Sequence, residues 1–192
     1  MTLKFETGNI TKATTEAIVN AANSGLKRGG GVCGAIFDAV KAAGGRDAYN
    51  SLTAACDAIG HCSTGNAVIT PSFGLPATHI IHAVGPIWSG NTNPEDRLDG
   101  GQSTHIKALA DTYRAIIRVC REKNLKSVTI PAISTGIYDF PEDLAAAIAV
   151  KVCTDESGDI EVALIGYNSD STLVLMNTPS PRAKTLLSGL TF

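Results

Sequence analysis

The run SVTIPAI at residues 127–133 constrains the fold of this 192-residue chain more than any other stretch. It is nearly continuous in apolar side chains, so it reads as a strand covered on both faces, and such strands belong to parallel sheets flanked by helices. Residues 3–6, 16–20, 66–69, 79–83 and 160–166 also read as strands. Residues 32–43, 47–59, 104–123 and 141–152 read as helices, with Gly44 and Gly45 expected to stop the first. The helix at 104–123 carries Ile106, Leu109, Tyr113, Ile116, Ile117 and Cys120 at helical spacing. Residues 71–76 read as a turn and residues 88–102 as a long loop rich in Gly, Asn, Pro and Asp. Residues 172–176 fit a helix or a short strand equally, and Pro179 and Pro181 break the tail. Strands alternating with helices predict an α/β domain: a three-layer α/β/α sandwich with a mixed, largely parallel central sheet.

Composition narrows the function. An apolar fraction of 44% and a charged fraction of 18% are ordinary for a globular domain, and no apolar run approaches a membrane span. The start, MTLKFETGNI, lacks a charged leader followed by an apolar stretch, so a cytoplasmic protein is expected. The cysteines are Cys33, Cys56, Cys62, Cys120 and Cys153, an odd number, which reads as free thiols. Cys56, His61 and Cys62 match no standard zinc spacing, and neither a metal nor another cofactor is expected. A net charge of −2 argues against a broad nucleic-acid footprint. It is compatible with capture of a small anion by backbone amides.

Residues 17–36, AIVNAANSGLKRGGGVCGAI, point to such a capture site. A strand-like run stops at Asn20 and Asn23, a short basic loop follows, then three glycines, then a helix. Glycine frees backbone amides for close approach, and a helix start aims them at a phosphate. Amide side chains beside that cradle can hold a sugar. Gly29, Gly31 and Gly34 satisfy G-x-G-x-x-G formally, yet residues 21–28 separate the strand from the first glycine, unlike a dinucleotide fingerprint. A P-loop fails for want of Gly-Lys-Ser/Thr. Ser134, Thr135, Gly136, Ile137 and Tyr138 directly follow the buried strand. Their hydroxyls and amides can donate to phosphate oxygens, and Tyr138 can cover a sugar.

Together GNIT at 8–11, AIVNAAN at 17–23, GGGV at 29–32, IIHAVGP at 80–86 and IPAISTGIY at 130–138 resemble a macrodomain, most closely the MacroD-type branch, whose members bind ADP-ribose and often remove it. The resemblance spans most of the chain and is read as a macrodomain over residues 1–178, with 179–192 a C-terminal extension of uncertain structure. It implies that Asn9 stands where the family usually has an aspartate accepting from the adenine amino group, with Ile10 near the adenine. Asn23 would hold the distal ribose, with Asn20 bracing its loop or joining it at the ligand. Gly30, Gly31 and Val32 would line the ribose and diphosphate, and Ser134, Thr135, Gly136, Ile137 and Tyr138 would form a second phosphate loop. Tyr167 would cover the adenine with Asn168 beside it. Cys33 replaces an aspartate common in active members; a cysteine is not a ready substitute base, and alphavirus macrodomains also place one there.

The resemblance implies a hydrolase that removes mono-ADP-ribose from acidic side chains or deacetylates O-acetyl-ADP-ribose, with Asn23, Cys33 and Tyr138 at the chemistry. The alternative is a reader that binds ADP-ribose without turnover, supported by Cys33 and Asn9. An RNA- or nucleotide-binding protein is a third reading that the acidic balance disfavours. The expected partners are ADP-ribose, ADP-ribosylated proteins or O-acetyl-ADP-ribose, met by a monomer without membrane or nucleic-acid contacts.

Overall fold

The structure is a computed structural model that describes residues 2–88 and 101–187. Its centre is a six-stranded sheet of β1 (Thr2–Thr7), β2 (Ala17–Ala21), β3 (Asn66–Pro71), β4 (His79–Val84), β5 (Ser127–Pro131) and β6 (Glu161–Gly166). The spatial order is β1-β6-β5-β2-β4-β3. Every neighbouring pair is parallel except β3 and β4, which run antiparallel. The helices are α1 (Gly31–Ile59), α2 (Gly101–Glu122), α3 (Glu142–Glu156), α4 (Ser169–Met176) and α5 (Pro181–Leu187). This is the mixed, largely parallel three-layer sandwich the sequence predicts.

Side chains alternating across β2 build the layers. Ala17 and Val19 join a core with Leu109, Ile116 and Ile148 of α2 and α3, while Ile18 joins the opposite core with Ile36, Phe37 and Val40 of α1. A strand apolar on both faces therefore binds helices on both faces. Phe37 is 1% exposed, and truncating such a ring costs about 3–5 kcal/mol.

Several boundaries differ from the sequence reading, each for a local reason. Strand β5 ends at Pro131, which has no N–H for the ladder, and the chain turns away at Ala132. The glycine pair, by contrast, ends the first helix as expected: the backbone leaves helical geometry at Gly45 (φ 72°, ψ −162°), so α1 is two helices joined at a kink. Helix α2 begins at Gly101, and residues 89–100 of the expected loop lie outside the described residues. The ambiguous stretch 172–176 is helical because a capping box starts α4: Ser171 N–H donates to Asn168 Oδ1 at 2.9 Å, and Asn168 N–H donates to Ser171 Oγ at 3.2 Å. In the tail, Pro181 opens α5 from the first helical position, and α5 lies against α3 with Ala183 buried.

Strand order then positions the site. β2 and β5 are adjacent and parallel, with Ala17 opposite Val128. The helix after β2 packs on one face of the sheet and the helix after β5 on the other. Chains leaving adjacent strand ends in opposite directions leave a crevice between them, the usual ligand site of open α/β sheets.

Candidate functional site

A cleft of about 930 Å³ occupies that crevice. One wall is the loop and helix start after β2, the other is the loop after β5. The segment after β1 and the start of α4 close the far end.

The first loop is knit by its own side chains. Asn23 Nδ2 donates to the Lys27 carbonyl at 2.7 Å, and Lys27 N–H donates to Asn23 Oδ1 at 3.1 Å. The Cys33 thiol donates to the same carbonyl at 3.7 Å and accepts from Gly29 N–H at 3.3 Å. Cys33, third in the helix, thus reaches back over the entry as the N3 residue of a capping box does. A Cβ on Gly34 would lie 2.8 Å from the Gly29 carbonyl, so this return needs glycine there. The basic residues of the loop face away from the cleft. Lys27 pairs with Asp57, and Arg28 forks onto Asp38 at 2.8 and 3.1 Å, drawing the Asp38 carboxyl below its ordinary range.

Helix α1 opens into the cleft without a side-chain cap. Gly30 holds the cap position in extended conformation (φ −88°, ψ −174°) and has no side chain to offer. The first-turn N–H groups of Gly31, Val32 and Cys33 therefore await an external acceptor at the positive end of the helix. Gly31 has φ 57°, and a Cβ there would enter open space.

The second loop is folded between two left-handed residues, Ser134 (φ 68°) and Asp139 (φ 54°). Phe140 N–H to the Ser134 carbonyl at 3.0 Å and Asp139 N–H to the Gly136 carbonyl at 2.9 Å close it. The N–H groups of Thr135, Gly136, Ile137 and Tyr138 have no partner among the described residues, which makes a concave set of donors suited to an anion. Trp88 N–H donates to the Tyr138 carbonyl at 2.8 Å and braces the loop from outside. Ser134 Oγ is buried, with no hydrogen-bond partner among the described residues. A Cβ on Gly85 would collide with that hydroxyl and with Ile133, so the residue after β4 must be glycine for the loop to lie as it does.

Asn9, Ile10, Asn23, Gly30, Gly31, Val32, Cys33, Ser134, Thr135, Gly136, Ile137, Tyr138 and Tyr167 all line this one cleft. Two residues expected at the ligand do not. Asn20 is 1% exposed, and its Nδ2 lies 3.0 Å from His82 Nδ1 between β2 and β4. Its strand continues through Ala21, so register turns Asn20 inward. Asn168 commits its carbonyl to the α4 cap. The expected Thr135 hydroxyl donor is turned back onto the Ala132 carbonyl at 3.0 Å, leaving only its N–H for a ligand. Sequence reasoning did not place Gly85, Tyr113, Glu142, Ser171 and Val174 on the lining. Gly85 stood inside a quoted motif and was readable; Tyr113 was hidden in the apolar stripe of α2.

Glu142 is the one formally charged side chain among the described lining residues. A bound anion would meet backbone dipoles rather than lysine or arginine. His82 lies outside the cleft. Burial drives its pKa down to about 4, so it is neutral; Nδ1 accepts from Asn20 and Nε2–H donates to Thr70 Oγ1 at 2.9 Å. Among the described residues no cluster of His, Cys, Asp and Glu is placed to hold a metal, and no helix is long and apolar enough to cross a membrane.

The model of a family described as Macro domain matches residues 19–149. A macro domain-containing protein of Ralstonia nicotianae is 40% identical over 96% of this chain and 97% of its own, and one of Lactiplantibacillus plantarum is 44% identical over 78% and 76%. Among solved structures, a macrodomain variant of Oceanobacillus iheyensis with ADPR is 32% identical, with TM-score 0.75 over 97% of this chain and 94% of that one. The Trypanosoma brucei macrodomain in complex with ADP-ribose is 26% identical, with TM-score 0.72 over 93% and 69%.

Proposed function

The chain belongs to the macro domain family, and from that premise we propose that its cleft binds ADP-ribose and that the protein hydrolyses ADP-ribose esters. The observation that carries this reading is the convergence of the uncapped start of α1 and the amide-lined loop 135–138 on one cleft. A diphosphate fits between them, receiving hydrogen bonds from both walls without a formal cation. The Oceanobacillus and Trypanosoma structures, solved with ADPR or ADP-ribose, support that ligand.

The chemistry is addition of water across an ester joining the distal ribose to an acyl group. The products are the carboxylate, a proton and ADP-ribose with a free hydroxyl. Asn23 keeps one amide proton beyond the one given to Lys27, and that proton can hold a ribose hydroxyl. Tyr138 flanks the sugar from the opposite loop. Catalysis rests on fixing ester and water between the two walls while the phosphates stay clamped.

A second reading, an ADP-ribose reader without turnover, has one observation in its favour. The Cys33 thiol is engaged with Gly29 and Lys27 and holds the loop, so it is not poised as a base. Titration with ADP-ribose tests binding. Release of ADP-ribose from aspartyl- or glutamyl-modified protein then separates hydrolase from reader. Binding with no release at high enzyme concentration selects the reader.

A further inference from the structure

Asn9 lies on the cleft beside Ile10, just after β1, whose end pairs with the end of β6 that leads into Tyr167. Its side chain also caps the 3-10 turn Ile10–Lys12. Both functions draw on the same few atoms. Asn9 Oδ1 accepts from Thr11 N–H at 3.0 Å and from the Thr11 hydroxyl at 2.9 Å. A backbone N–H can only donate, so the amide orientation is fixed: oxygen toward Thr11, nitrogen away. A carbonyl oxygen has two lone pairs, and Thr11 fills both. The Nδ2 group has no partner among the described residues and retains both protons.

We propose, building on the ADP-ribose reading above, that Asn9 shows the base a donor and no acceptor, so that the cleft takes 6-oxopurine diphosphate riboses at least as readily as ADP-ribose. Adenine offers a donor at its amino group and an acceptor at N7. An asparagine satisfies both only when its own oxygen and nitrogen are free together. Here the oxygen is committed, and an adenine amino group facing Nδ2 would set donor against donor. Hypoxanthine carries acceptors at both O6 and N7 and matches a donor-only amide. An aspartate at this position would differ: one carboxylate oxygen would cap Thr11 and the other would accept from the adenine amino group with full charge. The base preference of this chain therefore follows from a single atom exchange, nitrogen for oxygen, at residue 9.

Calorimetric titration of the full chain with ADP-ribose and with inosine diphosphate ribose tests this. Wild type is expected to bind the inosine ligand as tightly as the adenine ligand or more tightly. Asn9→Asp, which keeps the cap, is expected to shift the ratio about tenfold toward ADP-ribose, the value of one charge-assisted hydrogen bond. Asn9→Ser keeps a cap without an amide and is expected to bind the two equally. Wild type preferring ADP-ribose tenfold, or a ratio unchanged in Asn9→Asp, overturns the inference while leaving the ADP-ribose reading intact. Absence of binding by both ligands removes that reading and this inference together.

Discussion

The side chain of Ile137 occupies the space that a side chain on Gly30 would need: a Cβ on Gly30 would lie 2.9 Å from Ile137 Cδ1. The two walls of the cleft, more than a hundred residues apart in sequence, meet at this point. Ile137 is 77% exposed, an unusual position for a large apolar group, and it lines the cleft beside Gly30.

Ile137→Ala is predicted to leave stability within about 0.5 kcal/mol of wild type, as expected for an exposed site. The same change should speed ADP-ribose release several-fold by opening the mouth. Gly30→Val should weaken binding by pushing the Ile137 side chain aside or blocking the entry. Stopped-flow release and thermal denaturation check both, and unchanged kinetics in both variants would remove the bridging role.

Cys33→Ala removes the thiol that ties Gly29 to Lys27. Substantial hydrolysis should remain, with a modest rise in KM from a looser loop. Cys33→Asp should keep the Gly29 half of the tie, because a carboxylate accepts from that N–H better than sulfur does. It should lose the half to the Lys27 carbonyl, which needs a donor, and should add a group able to orient water. Turnover in Cys33→Asp above wild type is the expected result. Abolition of kcat in Cys33→Ala at unchanged affinity would instead give the thiol a part in the chemistry.

Ser134→Ala should raise stability by about 1 kcal/mol, since it deletes a buried hydroxyl that has no partner among the described residues. ADP-ribose affinity should be unchanged in the same variant, because the hydroxyl is buried against Gly85 although its residue lines the cleft. Denaturant titration and calorimetry measure both, and a variant with weakened affinity would show that the hydroxyl reaches the ligand.

The scaffold of the cleft was legible in the sequence; the orientation of its polar atoms was not. Alternation of strands and helices gave the layers, and the glycines at 29–31 and 136 marked backbone that a ligand can approach. Both signals are local. The role of Asn20 depends on its register opposite His82, 62 positions away, which periodicity does not specify. Asn9 and Thr135 were readable as polar groups at the site, but which of their atoms faces the ligand is decided by Thr11 and Ala132. Amide and hydroxyl groups serve turns and ligands equally well, so residue type alone leaves that choice open.

Burial of His82 makes stability depend on pH. Its folded pKa of about 4 lies below the 6.5 of the unfolded chain. Above pH 6.5 both states are neutral and the contribution is fully present. As pH falls below 6.5 the unfolded chain takes up a proton that the native state refuses, so stability is lost down to about pH 4, by roughly 3 kcal/mol. Denaturation of wild type and His82→Gln between those values should show a shallower pH slope in the variant. Equal slopes would contradict a buried neutral imidazole.

Calorimetric titration of ADP-ribose into wild type and Gly31→Glu tests the clamp most directly. Gly31 lies on the cleft with φ 57° and open space where a side chain would project. A carboxylate there would enter the diphosphate position and repel it, at a cost in backbone strain of about 1–2 kcal/mol that leaves the fold intact. Micromolar binding by wild type and none by the folded variant is the predicted result. Equal affinity in the two proteins would mean that no diphosphate lies between α1 and the loop at 134–138.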